Sequence, residues 1–171
     1  NNIVVSTVMS NYGFKQAIEK FNFDLIETPV GDKYVAEAMK KYDAALGGEQ
    51  SGHIIISDQL PVGDGLVTLI YVLKAMQHFG VALSDFKREH LYEYPQKLTN
   101  LELENKLNDE ELEYINQIAL DMSIKKDLDG RYLIRNSGTE PLLRVLVEAK
   151  SNEAMEEFSN ELITKINKYL N

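Results

Sequence analysis

Through the first ninety residues, short apolar runs with the two-residue rhythm of a strand alternate with longer runs at helical spacing, which limits the fold more than anything else in the chain. IVVSTVM (3–9) reads as a strand, and Asn11 can cap a helix that puts Phe14, Ala17, Ile18 and Phe21 on one face. FDLIET (23–28) is a second strand, with Pro29 and Gly31 marking the turn after it. Asp32 is placed to cap a helix with Val35, Ala38 and Met39 inward. AALGG (44–48) and HIIIS (53–57) read as short strands around the loop GGEQSG. GDG (63–65) opens a helix running to about His78, whose apolar residues cover most of its circumference and so predict burial. VALSDF (81–86) adds a last short helix. Such alternation predicts a layered α/β domain, a mixed sheet with helices on both faces.

From about Glu89 to Leu98 the rhythm loosens around Pro95, which predicts a linker between two domains, 1–92 and 93–171. LTNLELE (98–104) then reads as a strand, and Asn108 with Glu111 forms a capping-box pattern before a helix with Leu112, Ile115, Ala119 and Met122 inward. IKKDL (124–128) and RYLIR (131–135) read as strands joined by a turn at Asp129-Gly130, LLRVLVEA (142–149) as another. A final helix starts at Ser151 or Asn152 and carries Met155, Phe158, Leu162, Ile166 and Tyr169 or Leu170 at helical spacing. The second domain is therefore expected to be a small α+β fold, with helices packed on one face of an antiparallel sheet.

With 44% hydrophobic and 26% charged residues the chain is apolar enough to fold. It has no cysteine, which removes disulfides and thiolate metal sites, and an intracellular, cytoplasmic setting is expected. The run LVTLIYVLKAM (66–76) is too short to span a bilayer and includes Lys74, and no signal-peptide pattern opens the chain; no membrane partner is expected. The net charge is −9, with eight basic against twelve acidic residues before Lys97 and ten against fifteen from there on. Neither part is a basic module, so no nucleic-acid partner is expected.

Against that acidic background, three of the four arginines (Arg131, Arg135 and Arg144, apart from Arg88) fall within fourteen residues. Two of them bracket RNSGTEPLLR (135–144). If both flanks are strands, Ser137 and Thr139 offer hydroxyls, Gly138 lets the backbone approach a ligand, and Arg135 and Arg144 reach the same mouth with forks suited to phosphate oxygens. The plainer alternative is a polar hairpin whose arginines pair with Glu140 and Glu148.

GGEQSGH (47–53) is a second candidate: its glycines allow a loop to present Glu49, Ser51 and His53, a carboxylate and hydroxyl suited to sugar hydroxyls beside a group able to move a proton. Its plainer alternative is a glycine-rich turn with His53 solvated. In VGDKYV (30–35), Gly31 and Asp32 supply a bend and a cap, while Lys33 at a helix start opposes the macrodipole unless an anion is near. DLDGR (127–131) lacks the ligand spacing of a calcium loop and reads as a hairpin turn; VGDG (62–65) lacks the Lys-Ser/Thr of a phosphate loop. His78 and His90 have no partner at triad or metal spacing.

In this order, STVMSN (6–11), VGDKYV (30–35), GGEQSGH (47–53), GDG (63–65) and RNSGTEPLLRVLVEA (135–149) resemble the α-D-phosphohexomutase superfamily, with VGDKYV and the Gln50 of GEQSGH favouring its glucosamine branch over the mannose and glucose branches. The resemblance covers the whole chain but only the third and fourth of the family's four domains. It implies an isomerase of amino-sugar metabolism in which a phosphoserine passes its phosphoryl group to a hexosamine 6-phosphate. A 1,6-bisphosphate then turns over and returns the other phosphoryl group. By the same resemblance Arg135, Ser137, Thr139 and Arg144 hold the non-reacting phosphate, with backbone contacts from Asn136 and Gly138. Glu49 and Ser51 bind sugar hydroxyls, His53 stands beside the reacting end as a possible assisting acid or base, and Asp32 and Lys33 line the substrate cleft. The family's Ser-His-Asn-Pro and Asp-Gly-Asp-x-Asp-Arg loops are not in this sequence. The nucleophile and the Mg2+ site are therefore expected in missing N-terminal domains of the same enzyme, and no cofactor is expected here. A chain that starts almost directly in a strand suggests a fragment, expected to be inactive alone.

Overall fold

The computed structural model describes residues 2–170, and the chain divides between Glu93 and Tyr94 into two compact units. The first holds β1 (Ile3–Thr7), α1 (Tyr12–Lys20), β2 (Asp24–Thr28), α2 (Asp32–Tyr42), β3 (Leu46–Gly48), β4 (Ile54–Ile56), α3 (Gly65–Phe79) and α4 (Leu83–His90). Its sheet order is β2-β1-β3-β4, with β1 parallel to β2 and β3, and β4 antiparallel to β3. The crossover through α1 moves outward from β1 and the crossover through α2 moves back past it. Right-handed connections in opposite directions put the two helices on opposite faces. Val5 and Ile55 share a core with Val35 and Met39 of α2. Gly47 belongs to that contact, because a Cβ there would lie 2.5 Å from Met39 Sδ.

Three expectations for this unit need correction. Asp32 does not cap α2: Gly31 occupies the cap at φ 134°, without a side-chain cap bond, and Asp32 is the first helical residue. Helix α3 begins as expected, with Asp64 Oδ1 accepting from Val67 N–H at 2.8 Å, yet none of its residues is buried and Leu66 is 75% exposed. Its principal sheet partner is β4. A helix of this length runs about 22 Å, whereas a three-residue strand offers only about 10 Å. An all-round apolar helix cannot be covered by so short an edge. The last helix is also longer than VALSDF and reaches His90 inside the predicted linker; the rings of Phe86 and His90 pack against Phe21, the residue that caps α1.

The second unit holds β5 (Gln96–Glu102), α5 (Asp109–Lys125), β6 (Gly130–Asn136), β7 (Leu142–Ala149) and α6 (Asn152–Leu170), its antiparallel sheet ordered β5-β7-β6. Asn108 and Glu111 close the capping box in both directions, and Ser151 Oγ caps the start of α6 by accepting from Ala154 N–H at 3.1 Å. Leu143, Val145, Val147 and Ala149 meet Ile115, Ala119 and Met122 of α5 and Phe158, Leu162 and Ile166 of α6. Each large side chain buried there contributes about 1.5–3 kcal/mol. By strand alternation the intervening Arg144, Leu146 and Glu148 lie on the opposite face, in register with Arg135, Leu133 and Arg131.

The predicted strand 124–128 does not form. Its backbone continues the helix ladder, Lys126 N–H donating to Met122 O at 2.9 Å, and Asp127 ends it at φ 49°. DLDGR is therefore a helix-to-strand junction rather than a hairpin turn. Asp129 accepts from Lys150 Nζ at 2.9 Å and from Tyr94 OH at 3.1 Å, and Lys150 holds its carboxyl below the ordinary value of 3.8.

Candidate functional site

Arg135 and Arg144 are direct cross-strand partners at the end of β6 and β7. Like charges placed so are destabilising, and no carboxylate offsets Arg135 among the described residues. Glu148, 0% exposed, pairs with Arg131 instead, while Glu140 Oε2 stands 3.8 Å from Arg144. Burial first, and the Arg144 charge second, push the Arg135 guanidinium below its ordinary range, though arginine remains cationic at any physiological pH. Among the described residues, the side-chain oxygen of Ser137 and Nε of Arg144 are buried without a hydrogen-bond partner. Orphaned polar atoms of this kind cost about 1–3 kcal/mol each. The loop thus holds two cations, an unpaired hydroxyl and an unpaired N–H donor within one turn of chain, which is the donor set an oxyanion takes.

The loop residues have distinct duties. Ser137 N–H closes the hairpin on Leu142 O at 2.7 Å, so its backbone donor is used within the fold. The Asn136 side chain is occupied with Leu107, donating to its carbonyl at 2.8 Å and accepting from its N–H at 3.3 Å. Gly138 and Thr139 are exposed. A Cβ on Gly138 would meet nothing within 4 Å, so the fold itself does not require glycine there.

In the first unit the candidate residues gather at the carboxyl ends of the parallel strands. β1 has β2 on one side and β3 on the other, so the loops that follow β1 and β3 diverge at a switch point, where open α/β sheets take ligands. Glu49 follows β3, and its Oε1 accepts from Gly31 N–H in the loop after β2 at 2.9 Å. GGEQSGH and VGDKYV are thereby joined by one hydrogen bond. His53 Nδ1 lies 3.2 Å from Ser51 Oγ and 3.9 Å from Glu49 Oε2; its side chain is 62% exposed, that of Glu49 9%. Asp32 Oδ1 accepts from the N–H of Lys33, whose ammonium lies 3.8 Å from Glu37 and so meets a carboxylate of its own helix.

Three features escaped the sequence reading. Ser6, Ser10 and Thr28 form a buried hydroxyl group at the ends of β1 and β2, with Ser6 bonded to Ser10 and Thr28 Oγ1 donating to Ser6 O at 3.3 Å. STVMSN contains two of these residues, so a signal was present. Gly31 supplies the donor for Glu49. Lys106, whose Nζ donates to Gly138 O at 2.6 Å, carried no motif. Among the described residues no group of three or more His, Asp or Glu side chains is arranged to hold a metal ion, and no single helix is long and apolar enough to cross a membrane.

Residues 1–94 match the family description phosphoglucomutase/phosphomannomutase, alpha/beta/alpha domain III, and residues 98–165 match its C-terminal domain. The chain belongs to the phosphoglucomutase/phosphomannomutase family. Among the relatives of this phosphohexomutase chain are phosphoglucosamine mutases, which are isomerases. That of Bacillus subtilis is 43% identical over 94% of the chain and 36% of its own length. That of Streptococcus agalactiae is 46% identical over 91% and 35%. The chain thus spans about a third of these relatives. In fold it is similar to the N-acetylphosphoglucosamine mutase of Aspergillus fumigatus, with a TM-score of 0.81 at 19% identity over 99% of this chain and 39% of that one. A second structure of that enzyme, in complex with GlcNAc-6P and magnesium, gives a TM-score of 0.78 at 20% identity, over 99% and 42%.

Proposed function

We propose that these residues are the substrate-holding part of a phosphoglucosamine mutase, which interconverts glucosamine 6-phosphate and glucosamine 1-phosphate. The observation that carries the reading is the Arg135–Arg144 cross-strand pair beside the unpartnered Ser137 hydroxyl. In this reading Arg135, Ser137, Thr139 and Arg144 hold the phosphate that is not reacting, with Gly138 giving backbone contact. Glu49 and Ser51 accept from and donate to sugar hydroxyls, and Asp32 and Lys33 lie beside them. His53, with Nδ1 turned to Ser51, keeps Nε2 to exchange a proton at the reacting oxygen.

The nucleophile is assigned by resemblance to a phosphoserine in the first two family domains, with Mg2+ bound there. Its phosphoryl group goes to the free hydroxyl of the sugar phosphate, giving a 1,6-bisphosphate. After the bisphosphate reorients, the serine recovers the other phosphoryl group. Since the serine and magnesium loops are not among these 171 residues, the chain alone is inactive in this reading. Assaying the enzyme that contains these residues on glucosamine, mannose and glucose 6-phosphates tests the assignment: preference for glucosamine 6-phosphate is expected, and its absence overturns the branch. Mutase turnover by the 171-residue chain overturns the division of labour.

A further inference from the structure

The segment joining β5 to α5 lies along the 136–141 loop and is tied to it at several points. Leu103 N–H donates to Pro141 O at 2.9 Å, the Asn136 amide clasps the Leu107 backbone in both directions, and Lys106 Nζ donates to Gly138 O. Lys106 makes no ion pair among the described residues, although Glu102 and Glu104 are close in sequence. An ammonium has three donors, and the Gly138 carbonyl takes one.

We infer that Lys106 is a third cation of the anion site and donates directly to the bound phosphate, an inference that rests on the phosphate reading of the loop. Charge supports it. A phosphate monoester carries between about −1.5 and −2 at neutral pH. Arg135 supplies one full positive charge, but that of Arg144 is partly offset by Glu140 at 3.8 Å. Lys106 brings the site close to balance. Position supports it too: the space over Gly138 is open to a ligand, and Lys106 stands at its edge on a segment held by the Asn136 clasp. The ammonium is therefore in place before the anion arrives.

The test is an NMR titration of the 171-residue chain with inorganic phosphate and with glucosamine 6-phosphate, following the Gly138 and Thr139 amides. Lys106→Met keeps the stem and removes the charge. It is expected to weaken both ligands about tenfold, the effect of one charge-assisted hydrogen bond, and to flatten the salt dependence of binding. Lys106→Arg is expected to bind like the parent chain, and Arg135→Ala to abolish binding. Loss of affinity in Lys106→Met with an unchanged salt dependence overturns the direct contact, leaving Lys106 a support of the loop. Parent-like affinity in Lys106→Met, with Arg135→Ala still dead, overturns the inference and leaves the phosphate loop intact. If neither ligand moves the loop amides of the parent chain, the phosphate reading falls and this inference with it.

Discussion

In the first unit, Glu49 divides its carboxylate between Gly31 N–H at 2.9 Å and His53 at 3.9 Å, so that loop arrives with much of its polar chemistry engaged. In the second, Ser137 Oγ and Arg144 Nε are buried and unpartnered, and Arg135 faces another arginine. The first loop is held in shape by its own bonds. The second is held by its hairpin bond and by the segment before α5, with two like charges opposed across the strands. On the proposed reading, the first loop meets its ligand already ordered by internal bonds, whereas the second carries its like-charge cost until the anion binds.

Replacing Arg135 tests that difference hardest. Arg135→Ala removes one of two like charges from a cross-strand pair, so the chain is expected to keep or slightly raise its thermal midpoint while losing phosphate affinity by more than about 100-fold. Calorimetry beside the titration reads both. A clear drop in midpoint would mean that Arg135 is a structural residue, and the contrast between the loops would disappear.

Glu49 is the reciprocal case. Glu49→Ala breaks a charge-assisted bond between two loops and is expected to destabilise the first unit by about 1.5–3 kcal/mol. Hydrogen exchange at the Gly31 amide checks this without assuming that both units unfold together. Phosphate binding at 136–140 should not change. Slow exchange at Gly31 in the variant would show that the bond does not hold these loops together.

How far these loops were legible in the sequence depends on whether their chemistry is local. The capping box at Asn108 and Glu111, the stripe of α6 and the full extent of β7 were readable, because each is a pattern within one element. The arginine bracket was readable as residue types, but its decisive geometry, Arg135 opposite Arg144 with Glu148 taken by Arg131, is a matter of strand register. Lys106 was invisible because it reaches the loop from 32 residues away. The missing strand at 124–128 and the missing burial of α3 share a cause. IKKDL and the α3 run were judged on their own residues, while the ladder of α5 and the shortness of β4 decided them.

The glycines sharpen the comparison with a smaller effect. Gly52 sits at φ 96°, so Gly52→Ala strains the backbone although its surroundings are open, at about 1–3 kcal/mol. Gly138 has neither a positive φ nor a neighbour within 4 Å, so Gly138→Ala should leave the denaturation midpoint unchanged and weaken phosphate binding alone. Equal losses of stability at both positions would show that the 136–140 loop is constrained from within, like its counterpart.

The smallest expected effect lies away from both loops. Asp129 is satisfied by Lys150 and Tyr94, which holds its folded-state pKa below the unfolded one. A depressed carboxyl contributes stability that is present above the unfolded value near 3.8 and is lost as pH falls through the lower folded value. Because both partners of the ion pair are at least half exposed, solvent screens much of this term. Asp129→Asn should therefore cost the second unit a little stability at pH 7 and nothing once the pH has fallen below the lowered folded value, where the parent carboxyl is also protonated. Denaturation of both chains across pH 2–7 reads the difference, which should close on the acid side. A gap that persists at pH 2 would mean that Asp129 acts through packing at the α5–β6 junction rather than through its charge. The second unit would then be organised by shape at that junction.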